Sequence, residues 1–487
     1  MSYEGPIEHV VVLMFENRSY DNVLGMLYDP GNAPPYDAPP ENRKDLDGLR
    51  PQRYFNVDVD TGEKIYTWGG PNDPTDIPVD PGEPFGDMAQ QLLGTAEVLP
   101  LTNPWAWGPG LYGENGGFVA NFRKVQPKAD VRDVMHAYVP RLMPVTAFLA
   151  HQFMVCDRWF ASAPTQTFAN RLFAHAAAPG GVALAGLPIV SHIDDIEYVL
   201  AWNHGYGLEP NVFSQLDAVL GVRTDAGGEV LPNWKVYFHD YSISAGLLEY
   251  VAQKMRDPHN VNLASYNGGD YPAGYPSPLA HPASHFLDDV ANGTLPKYAF
   301  IEPRYSNSYT GAKPLLKVNS NHPGVSNYSG NRIDCNPLID VTHGERLLLE
   351  VYQALRTSAY WEKTLLIVTY DEHGGVYDHV FPPPATPPGL SVRPAVGGFG
   401  FDRFGGRVPA IVVSPYAPPQ SVLRPPGGAP PFDHTSLIKT VWECFNLEAG
   451  PRGRPSINAR DAAAPSVLAA LAGTVVNVPP PEPALPD

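Results

Sequence analysis

Cysteine is scarce: Cys156, Cys335 and Cys444 are the three in a chain of 487 residues. So few thiols exclude a disulfide framework. No Cys-x-x-Cys spacing offers a thiolate metal site, and three buried free thiols are the expected state. Long apolar runs are missing as well. None approaches the roughly 20 residues that a membrane-spanning helix requires, so contact with a bilayer is peripheral at most. Basic residues are in deficit, 33 Lys+Arg against 51 Asp+Glu, for a net charge of −18. That balance argues against nucleic acid as a partner, yet leaves room for a locally positive pocket that takes an anion. The opening Met1-Ser2-Tyr3-Glu4-Gly5-Pro6 has neither a basic n-region nor an apolar h-region. No signal peptide is expected, and the default location is cytoplasmic, with secretion or the periplasm open by another route.

Proline and glycine are plentiful, 55 and 45 residues, and imply much loop-built structure. The chain exceeds the usual single-core length. It reads as one α/β domain over residues 1–450, with loop-rich insertions at about 28–130 and 180–330. A Pro/Ala-rich segment, 451–487, follows, and its last nine residues are expected to fray. Residues 28–130 show no long periodic pattern, but Trp68, Trp105, Trp107, Tyr112 and Phe118 imply order rather than a linker.

Two apolar runs dominate the rest. His9-Val10-Val11-Val12-Leu13-Met14-Phe15 leads into Glu16-Asn17, and Leu365-Leu366-Ile367-Val368-Thr369-Tyr370 leads into Asp371-Glu372. Such runs read as buried strands of a parallel sheet. Trp234–Phe238, Tyr298–Ile301 and Val408–Val413 read as further strands. Helical spacing marks Leu142, Val145, Phe148 and Leu149, then the stretch from Thr167 to Ala177, then Gly344 to Ala354 with Leu348, Val351, Tyr352 and Leu355 on one face. That last helix precedes the second apolar run, a βαβ-type order.

Ligand sites in open α/β sheets lie past the carboxyl ends of the strands. Here both ends carry oxygen donors. Adjacent acids such as Asp371-Glu372 repel unless a cation or arginine is near. Glu, Asn, Asp and Thr oxygens suit Mg²⁺, Ca²⁺ or Mn²⁺, and nearby histidines shift the balance toward Zn²⁺ or Fe. Thr167, at the entrance to a helix, sits where an anion is readily bound. A hydroxyl touching a divalent cation becomes a usable nucleophile; the plain alternative is an N-cap. Asn170 and Arg171, one turn on, can grip phosphoryl oxygens. His239, His322, His379 and His434 are candidate general acids. Trp105, Trp107 and Tyr112 can form a cage for a quaternary ammonium headgroup or pack as core.

Four segments together resemble the bacterial phosphoesterase family of non-haemolytic phospholipases C and related acid phosphatases. They are Ile7–Asp21, Cys156–Arg171, Val368–Val380, and Arg407–Tyr416 with Phe432–Ser436. The resemblance implies an alkaline-phosphatase-like α/β core with a mainly parallel sheet flanked by helices. It implies a metal bound by Glu16, Asn17, Asp371 and Glu372, with Thr167 as both ligand and nucleophile. It places His322 near the phosphoryl group, with His343 as competitor, and His239 as a weaker transfer. Two positions depart from the family pattern: Ala169 replaces a proline, and Glu83 stands where many relatives carry histidine. Exported relatives carry a twin-arginine leader, and none is expected from the opening Met1–Pro6.

The expected activity is hydrolysis of a phosphoester, phospholipid or monoester, through a phosphothreonine, with His322 protonating the leaving alcohol. The alternatives are a sulfatase-like hydrolase, whose Cys/Ser-x-Pro-x-Arg nucleophile context Ala163-Pro164 does not supply, and a metal-stabilised, non-catalytic binding protein.

Overall fold

The computed structural model describes residues 3–74, 79–95, 103–106, 108–182, 190–191, 194–195, 206–224, 227–228, 230–257, 259–266, 285–305, 308–310, 313–316, 318–324, 340–389, 398–449 and 451–478. Eight strands form the central sheet: β1 (His9–Phe15), β2 (Met154–Cys156), β3 (Trp234–Phe238), β4 (Leu263–Ser265), β5 (Tyr298–Ile301), β6 (Thr364–Tyr370), β7 (Ala410–Val413) and β8 (Ser421–Leu423). Their order is β4-β3-β5-β1-β6-β7-β2-β8. β7 runs against its neighbours β6 and β2, and every other junction is parallel. The sheet is therefore mainly parallel and flanked by helices, the α/β class that the apolar runs predict.

β1 and β6 are buried at every position, which is why they read as unbroken apolar runs rather than alternating ones. They lie side by side in parallel register, from His9 beside Thr364 to Phe15 beside Tyr370. This pairing delivers Glu16 and Asp371 to the same edge of the sheet. The Val341–Arg356 helix buries Leu347, Leu348, Val351, Tyr352 and Leu355 on one face and returns the chain to β6, as a crossover should.

β3 and β5 fall at the strands expected over Trp234–Phe238 and Tyr298–Ile301; with β4 they lie within residues 180–330, so that stretch builds core as well as loops. Among the described residues of 28–130 are two α-helices, Phe85–Leu93 and Phe118–Val125, both too short for a periodic pattern to stand out among the prolines and glycines. Residues 451–478 pack against the domain: Arg460 is buried and ion-pairs with Asp433 at 3.0 Å. The last nine residues, Cys335 and Trp107 lie outside the described residues; Cys156 and Cys444 are buried and free. Among the described residues no helix is long and apolar enough to cross a membrane.

Candidate active site

The β1–β6 register sets four donors together. The Asp371 N–H donates to the Phe15 carbonyl at 3.2 Å, continuing the ladder one step past the strands. Asp371 Oδ1 then accepts the backbone N–H groups of Asn17 (3.0 Å) and Glu372 (2.8 Å). Asn17 adopts φ 58°, a left-handed conformation that asparagine tolerates better than most residues. Gly374, at φ 66°, lies so close that a Cβ would come within 2.0 Å of the Asn17 carbonyl oxygen. Its N–H donates to Glu372 Oε2, while Glu372 Oε1 is buried with no partner.

The Thr167–Ala176 helix brings the nucleophile candidate to this edge. The Thr167 hydroxyl donates to Asn17 Oδ1 at 3.5 Å, and the next N–H, of Phe168, donates to Asp195 Oδ1 at 2.9 Å. Arg171, one turn in, is fully buried. Its Nε donates to Asp371 Oδ2 at 3.1 Å, and its guanidinium lies 5.3 Å from the Tyr305 ring centre. Nη1 and Nη2 find no acceptor. Buried guanidinium N–H groups without partners are unfavourable, and a phosphoryl group fits two such donors. Asn170 does not join them. Its Oδ1 accepts the Ala163 N–H (2.9 Å), and its amide nitrogen donates to the carbonyls of Thr165 (2.8 Å) and Gln166 (3.0 Å). The amide shapes the turn that carries Thr167 instead of facing the cleft, because a side chain this close to its own turn is captured by local backbone groups.

The histidines separate by their partners. His322 stands at the donor set: Nδ1 donates to the Pro323 carbonyl at 2.8 Å, and Nε2 lies 3.9 Å from Glu83 Oε1. Its loop is pinned by Arg18 Nε on the Asn321 carbonyl (2.6 Å) and by Asn321 on the Tyr370 hydroxyl (2.8 Å). His239 follows β3, two strands from β1, stacked on Tyr266, with Nδ1 3.0 Å from the Glu302 carbonyl; burial lowers it to about 3. It reaches the donor set indirectly, since its neighbour Asp240 accepts the N–H of Tyr305. His434 supports Asp371 from behind, Nε2 on the Asp371 carbonyl at 2.5 Å and Nδ1 facing Trp159 Nε1. His379 is held between Asp21 (2.7 Å) and Asp47 (3.1 Å).

Two site residues escaped the sequence reading. Asp80 is one. Glu83, read there as a departure from pattern, is the other: its Oε1 accepts Asn17 Nδ2 at 2.6 Å, which turns Asn17 Oδ1 toward Thr167. Asp80, Glu83 and His322 each present a ligand atom within 4.8 Å of the others. The signal was two acids three residues apart in Asp80-Pro81-Gly82-Glu83-Pro84, but only burial gives it meaning. Burial raises Glu16 to about 7, with Asp371 adding to it, and raises Asp80 to about 7. Glu83 and Glu372 are pushed well above the ordinary range, first by burial, then by neighbouring carboxylates. These acids repel in the absence of a cation.

Residues 7–448 match the model of the Phosphoesterase family. The chain belongs to this family. As a phosphoesterase it is a phosphoric ester hydrolase, which disposes of the non-catalytic reading. It is similar to non-specific phospholipase C1 of Arabidopsis thaliana, 30% identical over 92% of this chain and 68% of the relative. Non-specific phospholipase C6 of the same plant is 31% identical over 92% and 69%. Phospholipase C B of Mycobacterium tuberculosis (strain ATCC 25618 / H37Rv) is 27% identical over 91% and 74%. Among solved structures, a protein in the alkaline phosphatase superfamily from Vibrio parahaemolyticus overlaps at TM-score 0.34 and 13% identity, covering 66% of this chain and 64% of that one.

Proposed function

We propose that this phosphoesterase is a divalent-metal-dependent hydrolase of the phospholipase C type that works through a phosphothreonine at Thr167. The observation that carries the reading is the pairing of opposite deficits in one buried place. Glu372 Oε1 and the crowded carboxylates lack a cation, while Nη1 and Nη2 of Arg171, beside Thr167, lack an anion. Glu16, Asn17, Asp371 and Glu372, with the Thr167 hydroxyl, form an oxygen-rich donor set that fits a divalent cation. Such an ion, when bound, lowers the proton affinity of the Thr167 hydroxyl.

The chain's own groups do the rest. Thr167 Oγ1 gives up its proton to water and attacks phosphorus, forming the phosphothreonine as the bond to the leaving alcohol oxygen breaks, and the two free N–H groups of Arg171 hold the phosphoryl oxygens as charge builds. The ion pair to Asp371 fixes Arg171 without consuming those donors. In this reading His322 lies on the leaving-oxygen side; what supports it is that Nδ1 is committed to Pro323 and Nε2 is turned to the acidic centre. Water then hydrolyses the phosphothreonine. The phospholipase C relatives, matched over more than nine-tenths of this chain, favour a phosphodiester lipid over a monoester.

The test is Thr167→Ala against wild type on phosphatidylcholine, a water-soluble phosphocholine diester and a monoester, with acid-quench trapping of phosphoprotein. Wild type should turn over diesters and trap phosphate on Thr167, and the variant should do neither. Full turnover by the variant would sink the nucleophile assignment, and a preference for monoesters would sink the phospholipase reading.

A further inference from the structure

We propose that the chain has a second cation subsite, built from Asp80, Glu83 and His322, next to the oxygen-rich set at Glu16, Asn17, Asp371 and Glu372. The inference rests on the proposed function and deepens it: Nε2 of His322 holds a cation toward the leaving oxygen, and the leaving alkoxide takes its proton from water.

Geometry comes first. The three side chains offer ligand atoms within 4.8 Å of one another, and they arise from two loops brought together by tertiary contacts. Asp80 and Glu83 are both more than nine-tenths buried. Asp80 hydrogen-bonds Glu83 through its side chain, but its Oδ1 is buried without a partner, an atom left short of the contact that burial requires. His322 fits a ligand: a carbonyl can only accept, so the Pro323 contact places the proton on Nδ1 and leaves Nε2 with its lone pair toward Glu83. Metal-bound histidines commonly hold their second nitrogen in this way.

Charge supplies the second argument. Five buried carboxylates meet here, Glu16, Asp80, Glu83, Asp371 and Glu372, and Arg171 ion-pairs with one of them. Among the described residues no lysine or arginine lies in ion-pair contact with Asp80 or Glu83. Arg171 and one divalent cation offset the charge of Glu16, Asp371 and Glu372; Asp80 and Glu83 have a hydrogen bond to each other and the field of Arg18, whose Nε is spent on the Asn321 carbonyl and which makes no ion pair with them. Asn17 joins the two sets, its amide nitrogen on Glu83 and its oxygen toward Thr167.

The two sets differ in kind. The first is all oxygen. The second offers two carboxylates and an imidazole, a set suited to Mn²⁺, Fe²⁺ or Zn²⁺ over Ca²⁺.

The experiment is metal stoichiometry on the full chain. Chelator-stripped protein is equilibrated with Zn²⁺, Mn²⁺ or Ca²⁺, desalted, and measured by elemental analysis. Wild type should retain two equivalents of Zn²⁺ or Mn²⁺ and one of Ca²⁺. Asp80→Asn and Glu83→Gln should each fall to one equivalent of Zn²⁺ with an unchanged circular dichroism spectrum. One equivalent in wild type, or two retained by both variants, would overturn the proposal. Should either variant fail to fold, the wild-type stoichiometry decides alone. One equivalent in wild type alongside loss of turnover in Thr167→Ala would remove the second subsite and leave the proposed function standing.

Discussion

Two clusters of carboxylates and histidine, Asp21–Asp378–His379 and Asp80–Glu83–His322, meet different partners. Asp21, Asp378 and His379 surround Arg407, which donates Nε to Asp378 (2.9 Å) and Nη2 to Asp21 (3.0 Å) and lies over the Tyr20 ring. His379 adds a second cation, held by Asp21 and Asp47. Every charge there has its partner within the chain. Asp80, Glu83 and His322 have similar chemistry and similar burial but no guanidinium among them. A group of acids and histidine is therefore not a metal site by composition. On the proposal above, it becomes one where no lysine or arginine among the described residues ion-pairs with the acids.

The comparison can be broken or sharpened in order of expected effect. Removing divalent cations by chelation should reduce turnover by about three orders of magnitude, since a bound cation is worth several kcal/mol of transition-state stabilisation. Readdition should restore it, while the Arg407 cluster needs no metal to stay formed. Persistence of full turnover in metal-free protein would erase the distinction between the clusters. Arg407→Met should destabilise the fold by about 3–5 kcal/mol in chemical denaturation, because it strands Asp21 and Asp378 in the interior. A variant as stable as wild type would show that those acids are neutral already.

His379 gives a pH signature. Burial lowers its proton affinity, but Asp21 and Asp47 overcome that and hold it up to about 9, against 6.5 for a free imidazole. The folded state thus binds the proton more tightly than the unfolded state. The stabilisation is present in full below about pH 6.5 and is lost as pH rises through about 9, amounting to about 3 kcal/mol. His379→Asn should flatten that part of the stability profile between pH 7 and pH 10. Asp47→Asn is the mildest break. Asp47 is about a third exposed, so its loss should change stability by about 1 kcal/mol or less and reduce the pH slope without removing it.

The legible part of the site was the part carried by strands. β1 and β6 announced themselves as apolar runs, and the residues just past a buried strand must emerge at a sheet edge. Glu16, Asn17, Asp371 and Glu372 followed from that. Thr167 and Arg171 were readable because a helix start fixes which residues face its N-terminal end. Asn170 misled for the same reason: its position on the helix was legible, but its amide was claimed by the turn at residues 163–166. Asp80 and Glu83 lie in a Pro/Gly turn, where no period tells inside from outside.

The sequence alone determined the α/β class, the two donor-bearing strands and the helix that presents Thr167, because periodicity and local backbone rules act over neighbouring residues. Tertiary structure alone decided which acids share a space with which cations. Asp21 and Asp80 are both aspartates in irregular or short-helical surroundings near the same strand end. Arg407, 386 residues from Asp21 along the chain, pairs with one and not the other. Charge neutrality in a buried site is a property of who meets whom in three dimensions.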